Sequence, residues 1–202
     1  MMKLYFAPHS RAVRTAWLLE EIGLDYELIR FTLGDKALRA PEHLAVNPNG
    51  RVPTLVDGDV TISESTAIAQ YLAARYGEGR FAPDAASPDF PAYLQWLHYA
   101  EGMIMSPINQ IVVETMLLPP ERRSEEHAKR NQKLLQRLVV AVDAHMEGRE
   151  YLAGDFSAAD TITGHACIMA GRLGADLSEM PHLTAYNERL LARPAAQKAF
   201  AL

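Results

Sequence analysis

The chain has 202 residues, 49% of them hydrophobic and 22% charged, with 12 Gly and 12 Pro; this is ordinary globular composition and excludes a disordered, collagen-like or fibrous protein. The formal net charge is -5, and neither the first eighty residues nor the remainder is basic, which argues against a nucleic-acid backbone binder. A single cysteine, Cys167, excludes an internal disulfide, a CxxC redox pair and a four-thiolate metal site.

The apolar run at residues 1–8 is too short for a signal peptide, and no run approaches the ~18 apolar residues that span a bilayer. The chain therefore reads as soluble and cytoplasmic, with no membrane partner. In chain order, residues 3–7 form a short apolar run stopped by Pro8 and read as a buried strand. Ser10 then caps a helix running to about Ile22, with Val13, Ala16, Trp17 and Leu19 at helical spacing and Gly23 as its stop. Residues 27–32 return to strand propensity, completing a βαβ unit. A polar stretch follows without a clear period. Two short strands, 54–56 and 60–62, flank the hairpin signal Asp57-Gly58-Asp59. Ser63 or Glu64 opens a second helix carrying Ala67, Ile68, Tyr71 and Leu72.

Beyond residue 84 strand patterns vanish. Helical patterns cover 89–118, 122–147, 158–173 and 182–192, with a short one near 195–201, separated by Pro119-Pro120, Gly148, Gly174 and Pro194. The predicted division is an α/β domain at 1–80, a proline-bearing linker at 81–88 and an all-helical domain at 89–202.

Three motifs stand out. Asn47-Pro48-Asn49-Gly50-Arg51-Val52-Pro53-Thr54-Leu55 leads into the third strand, Ser63-Glu64-Ser65-Thr66-Ala67-Ile68 opens a helix, and Gly154-Asp155-Phe156-Ser157-Ala158-Ala159-Asp160 precedes another. In this order and spacing they resemble the cytosolic glutathione S-transferases of the bacterial, serine-type group, and the resemblance covers nearly the whole chain. It implies a thioredoxin-like N-terminal domain (βαβ-ββα) followed by a helical-bundle C-terminal domain, hence an α/β plus all-α protein. It also implies glutathione as co-substrate, an apolar electrophile or organic peroxide as second substrate, a cytoplasmic detoxification role and a homodimer.

Carried over residue by residue, the resemblance makes Ser10 the catalytic group, its hydroxyl donating to the glutathione sulfur so that thiolate is favoured over thiol. Val52, before a proline that is cis in the family (Pro53), pairs its backbone with the peptide-like ligand as an added strand would. Glu64 and Ser65, at a helix N-terminus, suit the zwitterionic γ-glutamyl end. Arg51 and then Arg39, with Lys36 behind, are the cations for the glycyl carboxylate. Capping alone accounts for Ser63 and Glu64 as well. Ser157 with Asp160 reads as a capping box without chemistry, although Thr161 stands where the family often has an aliphatic residue.

The serine-cysteine run common before the arginine in serine transferases is absent; the chain has Ala7-Pro8-His9-Ser10-Arg11. His9 thus has no assigned role, and Tyr5 is an alternative hydroxyl that falls inside a strand. Met103, Met105 and Ile108 could line the electrophile site or simply be bundle core. The seven histidines show no metal-ligand spacing. A non-catalytic or regulatory glutathione-binding protein and a glutathione-dependent isomerase remain as alternative functions.

Overall fold

The alternation of buried and half-buried residues in the first strand sets the layout of everything around it. In a computed structural model covering residues 1–202, strand β1 (Met2–Phe6) buries Met2, Leu4 and Phe6 and leaves Lys3 and Tyr5 half-buried, the period of two that sends successive side chains to opposite faces. Helix α1 (Ala12–Ile22) follows and ends at Gly23, whose left-handed backbone (φ 84) lets its N–H reach Leu19 O. Strand β2 (Tyr26–Arg30) then pairs parallel with β1, Met2 opposite Tyr26 and Phe6 opposite Arg30.

The stretch with no clear period in the sequence is structured. A 3-10 turn at Lys36–Arg39 starts where the Asp35 carboxylate accepts the Ala37 N–H, and helix α2 (Pro41–Val46) has Pro41 in its first turn. Six residues give less than two helical turns, too few for periodicity to register. Strands β3 (Thr54–Asp57) and β4 (Val60–Ser63) form the antiparallel hairpin, with Gly58 at φ 60 in its turn. The sheet order is β2-β1-β3-β4, and helix α3 (Ser65–Tyr76) follows β4. Leu4, Phe6, Leu55, Ile68 and Leu72 are fully buried between the sheet, α1 and α3, each worth about 1.5–3 kcal/mol of burial.

The chain divides into two compact units, 1–82 together with 191–202, and 83–190. This differs from the division expected from the sequence, in which 191–202 falls in the helical domain and Phe81 in the linker. Phe81 is buried. Helix α9 (Pro194–Ala201) belongs to the first unit because its charges and its one aromatic meet α1. Arg193 holds Glu21 through both carboxylate oxygens at 2.6 and 2.8 Å, Lys198 pairs with Glu20 at 2.6 Å, and Phe200 packs on Trp17 at 6.1 Å.

The second unit contains α4 (Phe90–Tyr99), α5 (Met105–Val112), α6 (Glu125–Met146), α7 (His165–Arg172) and most of α8 (Pro181–Leu191). The long pattern expected at 89–118 is helical almost throughout but passes through π-turns at Ala100–Ile104 and Val113–Leu117. Another π-turn, Asp160–Gly164, leads into α7. Ser124 caps α6 by accepting the His127 N–H. Trp96, Ile104, Leu135, Val142, Ile162 and Tyr186 form part of its core. No helix in the protein is long and apolar enough to cross a membrane.

The capping box reaches further than a helix cap. Asp160 is fully buried, and its Oδ2 accepts from both the N–H and the hydroxyl of Ser157 (2.8 and 3.1 Å). Its Oδ1 accepts from the Leu152 N–H (3.0 Å) and the Tyr186 hydroxyl (2.8 Å). Burial pushes the carboxyl above its ordinary pKa, against the pull of those four donors. The shape is specific to two oxygens, because each faces a backbone N–H that can only donate. Asp160→Asn should therefore cost about 3 kcal/mol, since either amide orientation sets an NH2 against a backbone donor. Urea unfolding monitored by circular dichroism reads this, and a midpoint equal to wild type would show that the network carries no stability.

Candidate functional site

Strand register alone brings the predicted site segments together. Tyr5 of β1 lies opposite Thr54 of β3, and Thr54 lies opposite Ser63 of β4. Because both pairings are antiparallel, the end of β1, the start of β3 and the end of β4 share one end of the sheet. The chain leaving β1 carries Ser10, the chain entering β3 carries Arg51, Val52 and Pro53, and the chain leaving β4 carries Glu64 and Ser65.

Ser10 does not itself open the helix as expected; α1 begins at Ala12, with Arg11 in helical backbone. The hydroxyl of Ser10 donates to Ala7 O at 2.7 Å and accepts the Ala12 N–H at 3.1 Å, so it still satisfies one of the orphan donors of that helix end. His9 beside it is exposed, with φ 59, a left-handed backbone uncommon for a residue with a Cβ. The Tyr5 ring lies 6.4 Å from Phe31 and 5.5 Å from His43 of α2. That is a packing role on the α2 side of the sheet.

The segment 47–53 is held by Asn47, which is buried. Its side-chain amide donates to Arg51 O (3.0 Å) and Thr54 Oγ1 (2.9 Å), and its Oδ1 accepts the Asn49 N–H (3.0 Å). Gly50 has φ 57 and sits so close to the 3-10 turn that a Cβ would stand 2.6 Å from Leu38 O, so only glycine fits. The Val52–Pro53 peptide is cis, and the β-ladders stop at Thr54, which leaves the Val52 backbone outside the sheet. Arg39 uses one guanidinium nitrogen on Asn49 O (3.1 Å) and thus braces this loop. Arg51 is exposed.

At the third segment the sequence offered Ser63 or Glu64 as the start of the helix, and the structure has the second of these. Ser63 is the last residue of β4, and Glu64 occupies the cap position of α3 with φ 71 and ψ 110 and no capping bond from its side chain. Glu64 is exposed, whereas Ser65 is buried. The Ser65 hydroxyl accepts from the guanidinium of Arg14 at 3.2 Å. Arg14 is fully buried on α1, and it is a residue that sequence reasoning missed. Residues 12–19 are buried all round the helix, Arg14 among them, and nothing local in the sequence marks its partner Ser65, 51 residues away. Asn47 and His43 were missed as well, both bonding the backbone carbonyl of Arg51.

Chemically, one sheet end thus offers an unladdered backbone, a helix N-terminus with free N–H groups and a buried cation behind it, an exposed carboxylate, and a serine hydroxyl at a second helix start. This suits an extended ligand with an anionic end and an ammonium. In the second unit, Met105 and Ile108 are buried in the core, and of the three suggested lining residues only Met103 is exposed, at 43%. No group of three or more His, Cys, Asp or Glu side chains is placed to hold a metal ion.

Comparison with known proteins matches residues 1–74 to the glutathione S-transferase N-terminal domain and residues 104–194 to the glutathione S-transferase C-terminal domain. Glutathione S-transferase 4 of Zea mays is 36% identical over 98% of this chain and 91% of its own length. Glutathione S-transferase GstB of Escherichia coli strain K12 is 30% identical over 98% and 97%. Among solved structures, the glutathione transferase homolog from Lodderomyces elongisporus, with two GSH per subunit, superposes with a TM-score of 0.90 at 26% identity, covering 99% of this chain and 97% of that one. The glutathione transferase from Pseudomonas putida, with one glutathione disulfide bound per subunit, gives a TM-score of 0.88 at 25% identity, covering 100% and 91%. With both domain models matched in chain order and near full-length relatives at this identity, the chain belongs to the glutathione S-transferase family and is a glutathione S-transferase enzyme.

Proposed function

We propose that this transferase binds glutathione at the sheet end described above and ionises its thiol with Ser10. The observation that supports the reading is the shared register of Tyr5, Thr54 and Ser63, which brings the segments carrying Ser10, Val52 and Glu64–Ser65 to one end of the sheet. The Val52 backbone pairs with the cysteinyl unit, next to Pro53. The γ-glutamyl carboxylate meets the first turn of α3 and the Ser65 hydroxyl, whose own hydrogen is left to donate because its oxygen accepts from Arg14. Glu64 accepts from the γ-glutamyl ammonium. Arg51, exposed and outside any ion pair, is the first choice for the glycyl carboxylate, and Arg39 the second.

Ser10 is a donor rather than a nucleophile. On binding, its hydroxyl hydrogen turns from Ala7 O to the sulfur while the oxygen keeps the Ala12 N–H. This serine-type arrangement, with the N-terminal end of α1 adding positive potential, favours the thiolate of a thiol whose free pKa is about 8.5. The thiolate attacks an apolar electrophile, forming an S–C bond as the leaving group departs with its electron pair. With an organic peroxide it takes the terminal oxygen as alkoxide leaves, and a second glutathione displaces water from the resulting sulfenic acid to give the disulfide.

Titration calorimetry with glutathione tests the reading first: heat saturating below millimolar ligand is the expected result, and no heat removes the proposal. For Ser10→Ala, turnover should fall roughly ten- to a hundredfold, because a hydrogen bond to a charged acceptor contributes about 1.5–3 kcal/mol, while glutathione affinity changes little. The apparent pKa of the bound thiol should rise by roughly one to two units, so the rate profile moves to higher pH; thiolate absorbance reads this directly. Should Ser10→Ala titrate like wild type while Tyr5→Phe does not, the hydroxyl is that of Tyr5. We also propose a homodimer, for which light scattering should give about twice 22.4 kDa; a monomer mass at micromolar concentration rules it out.

A further inference from the structure

The ring of His43 has no part in the assignments above, yet its surroundings are those of a working group. His43 is buried to 4% exposure, with its ring 4.9 Å from Phe31 and 5.5 Å from Tyr5. Its Nε2 lies 3.2 Å from Arg51 O. A carbonyl oxygen can only accept, so Nε2 carries the hydrogen, and Nδ1 is left as a bare lone pair. That Nδ1 is buried with no hydrogen-bond partner. A phenyl ring would pack against the same two aromatics without leaving a polar atom unsatisfied. Packing therefore does not account for an imidazole here; the Nε2–H does.

The geometry points to His43 as a positioning residue for the Val52 amide, an assignment that rests on the glutathione reading above. Arg51 O receives two donors, from His43 and from Asn47 Nδ2 at 3.0 Å. The second hydrogen of the Asn47 amide goes to Thr54 Oγ1, so Asn47 supplies this carbonyl with one bond and His43 with the other. The Arg51–Val52 peptide is trans, the cis bond being the next one. In a planar trans peptide the C=O and the following N–H point in opposite directions. Two donors that fix Arg51 O thus aim the Val52 N–H to the opposite side, away from His43. This N–H is the donor proposed to pair with the cysteinyl carbonyl of glutathione. The lone pair at Nδ1 is the cost of that aim.

The test compares His43→Phe, which keeps the ring and deletes the donor, with His43→Gln, which offers an N–H at about the same reach. His43→Phe should raise KM and Kd for glutathione roughly three- to tenfold, the loss of one hydrogen bond, with kcat at saturation within about twofold. His43→Gln should return KM to within about twofold of wild type. A residue that only fills space would change the thermal midpoint and leave this split and its rescue unseen. A His43→Phe enzyme with wild-type KM, or a His43→Gln enzyme as impaired as His43→Phe, overturns the assignment while leaving glutathione binding intact. Wild-type protein giving no heat with glutathione removes both together. In the unaltered protein, imidazole nitrogen NMR should report the Nε2–H tautomer at His43; the Nδ1–H tautomer overturns the assignment without any variant.

Discussion

The candidate site of the first unit hangs on the antiparallel register that sets Tyr5, Thr54 and Ser63 side by side. The side-chain period of a strand is two, so a slip of one residue in β3 would turn Leu55 out of the core and carry Val52 away from the end of β1. The register is pinned from outside the ladder as well. Asn47 reaches past the loop to Thr54, and Arg14 reaches from α1 to Ser65. Hydrophobic burial of Leu4, Leu55 and Ile68 chooses the faces, and these few polar bonds choose the position along the strands.

Two of the three residues other than glycine that hold positive φ, His9 and Glu64, flank this sheet end. Each such backbone costs on the order of 1 kcal/mol or more, and it persists where its neighbours over-determine it. At Glu64 the constraint is visible: Ser63 is committed to the ladder with Thr54, while Glu64 O already accepts the Ile68 N–H of α3. The chain has one residue in which to pass from strand to helix. The strain there follows from a strand and a helix meeting without a loop, and it sets the helix N-terminus directly beside β3.

Much of this was legible beforehand. Apolar runs, Gly23, and Asp57-Gly58-Asp59 marked β1, α1 and the hairpin because local chemistry and final packing agree there. The motif around Val52 and the Glu64–Ser65 pair were readable as sequence strings. Illegible were the elements whose reasons are not local. Helix α2 is too short to show a period, and α9 looks like one more bundle helix until Arg193 and Lys198 find Glu21 and Glu20. Arg14 reads as an ordinary surface type because its partner Ser65 is 51 residues away, and His43 and Asn47 do so because both bond Arg51 O, a backbone carbonyl that any residue would supply. Met105 and Ile108 are core, as helical spacing of apolar residues favours for any single one of them, whereas Met103 is exposed.

The packing of α9 on α1 has a consequence for biosynthesis. Glu21 and Arg193 are separated by 172 residues, and the whole of 83–190 is threaded between them. As the ribosome releases the chain from its N-terminus, the second unit is complete before the first has its last helix. Loop closure over such a length is entropically more costly than over a hairpin, though only logarithmically so. The packing of residues 1–82 around Glu20, Glu21 and Trp17 is therefore completed only after 83–190 has been made, when Arg193, Lys198 and Phe200 become available to cover that side of α1.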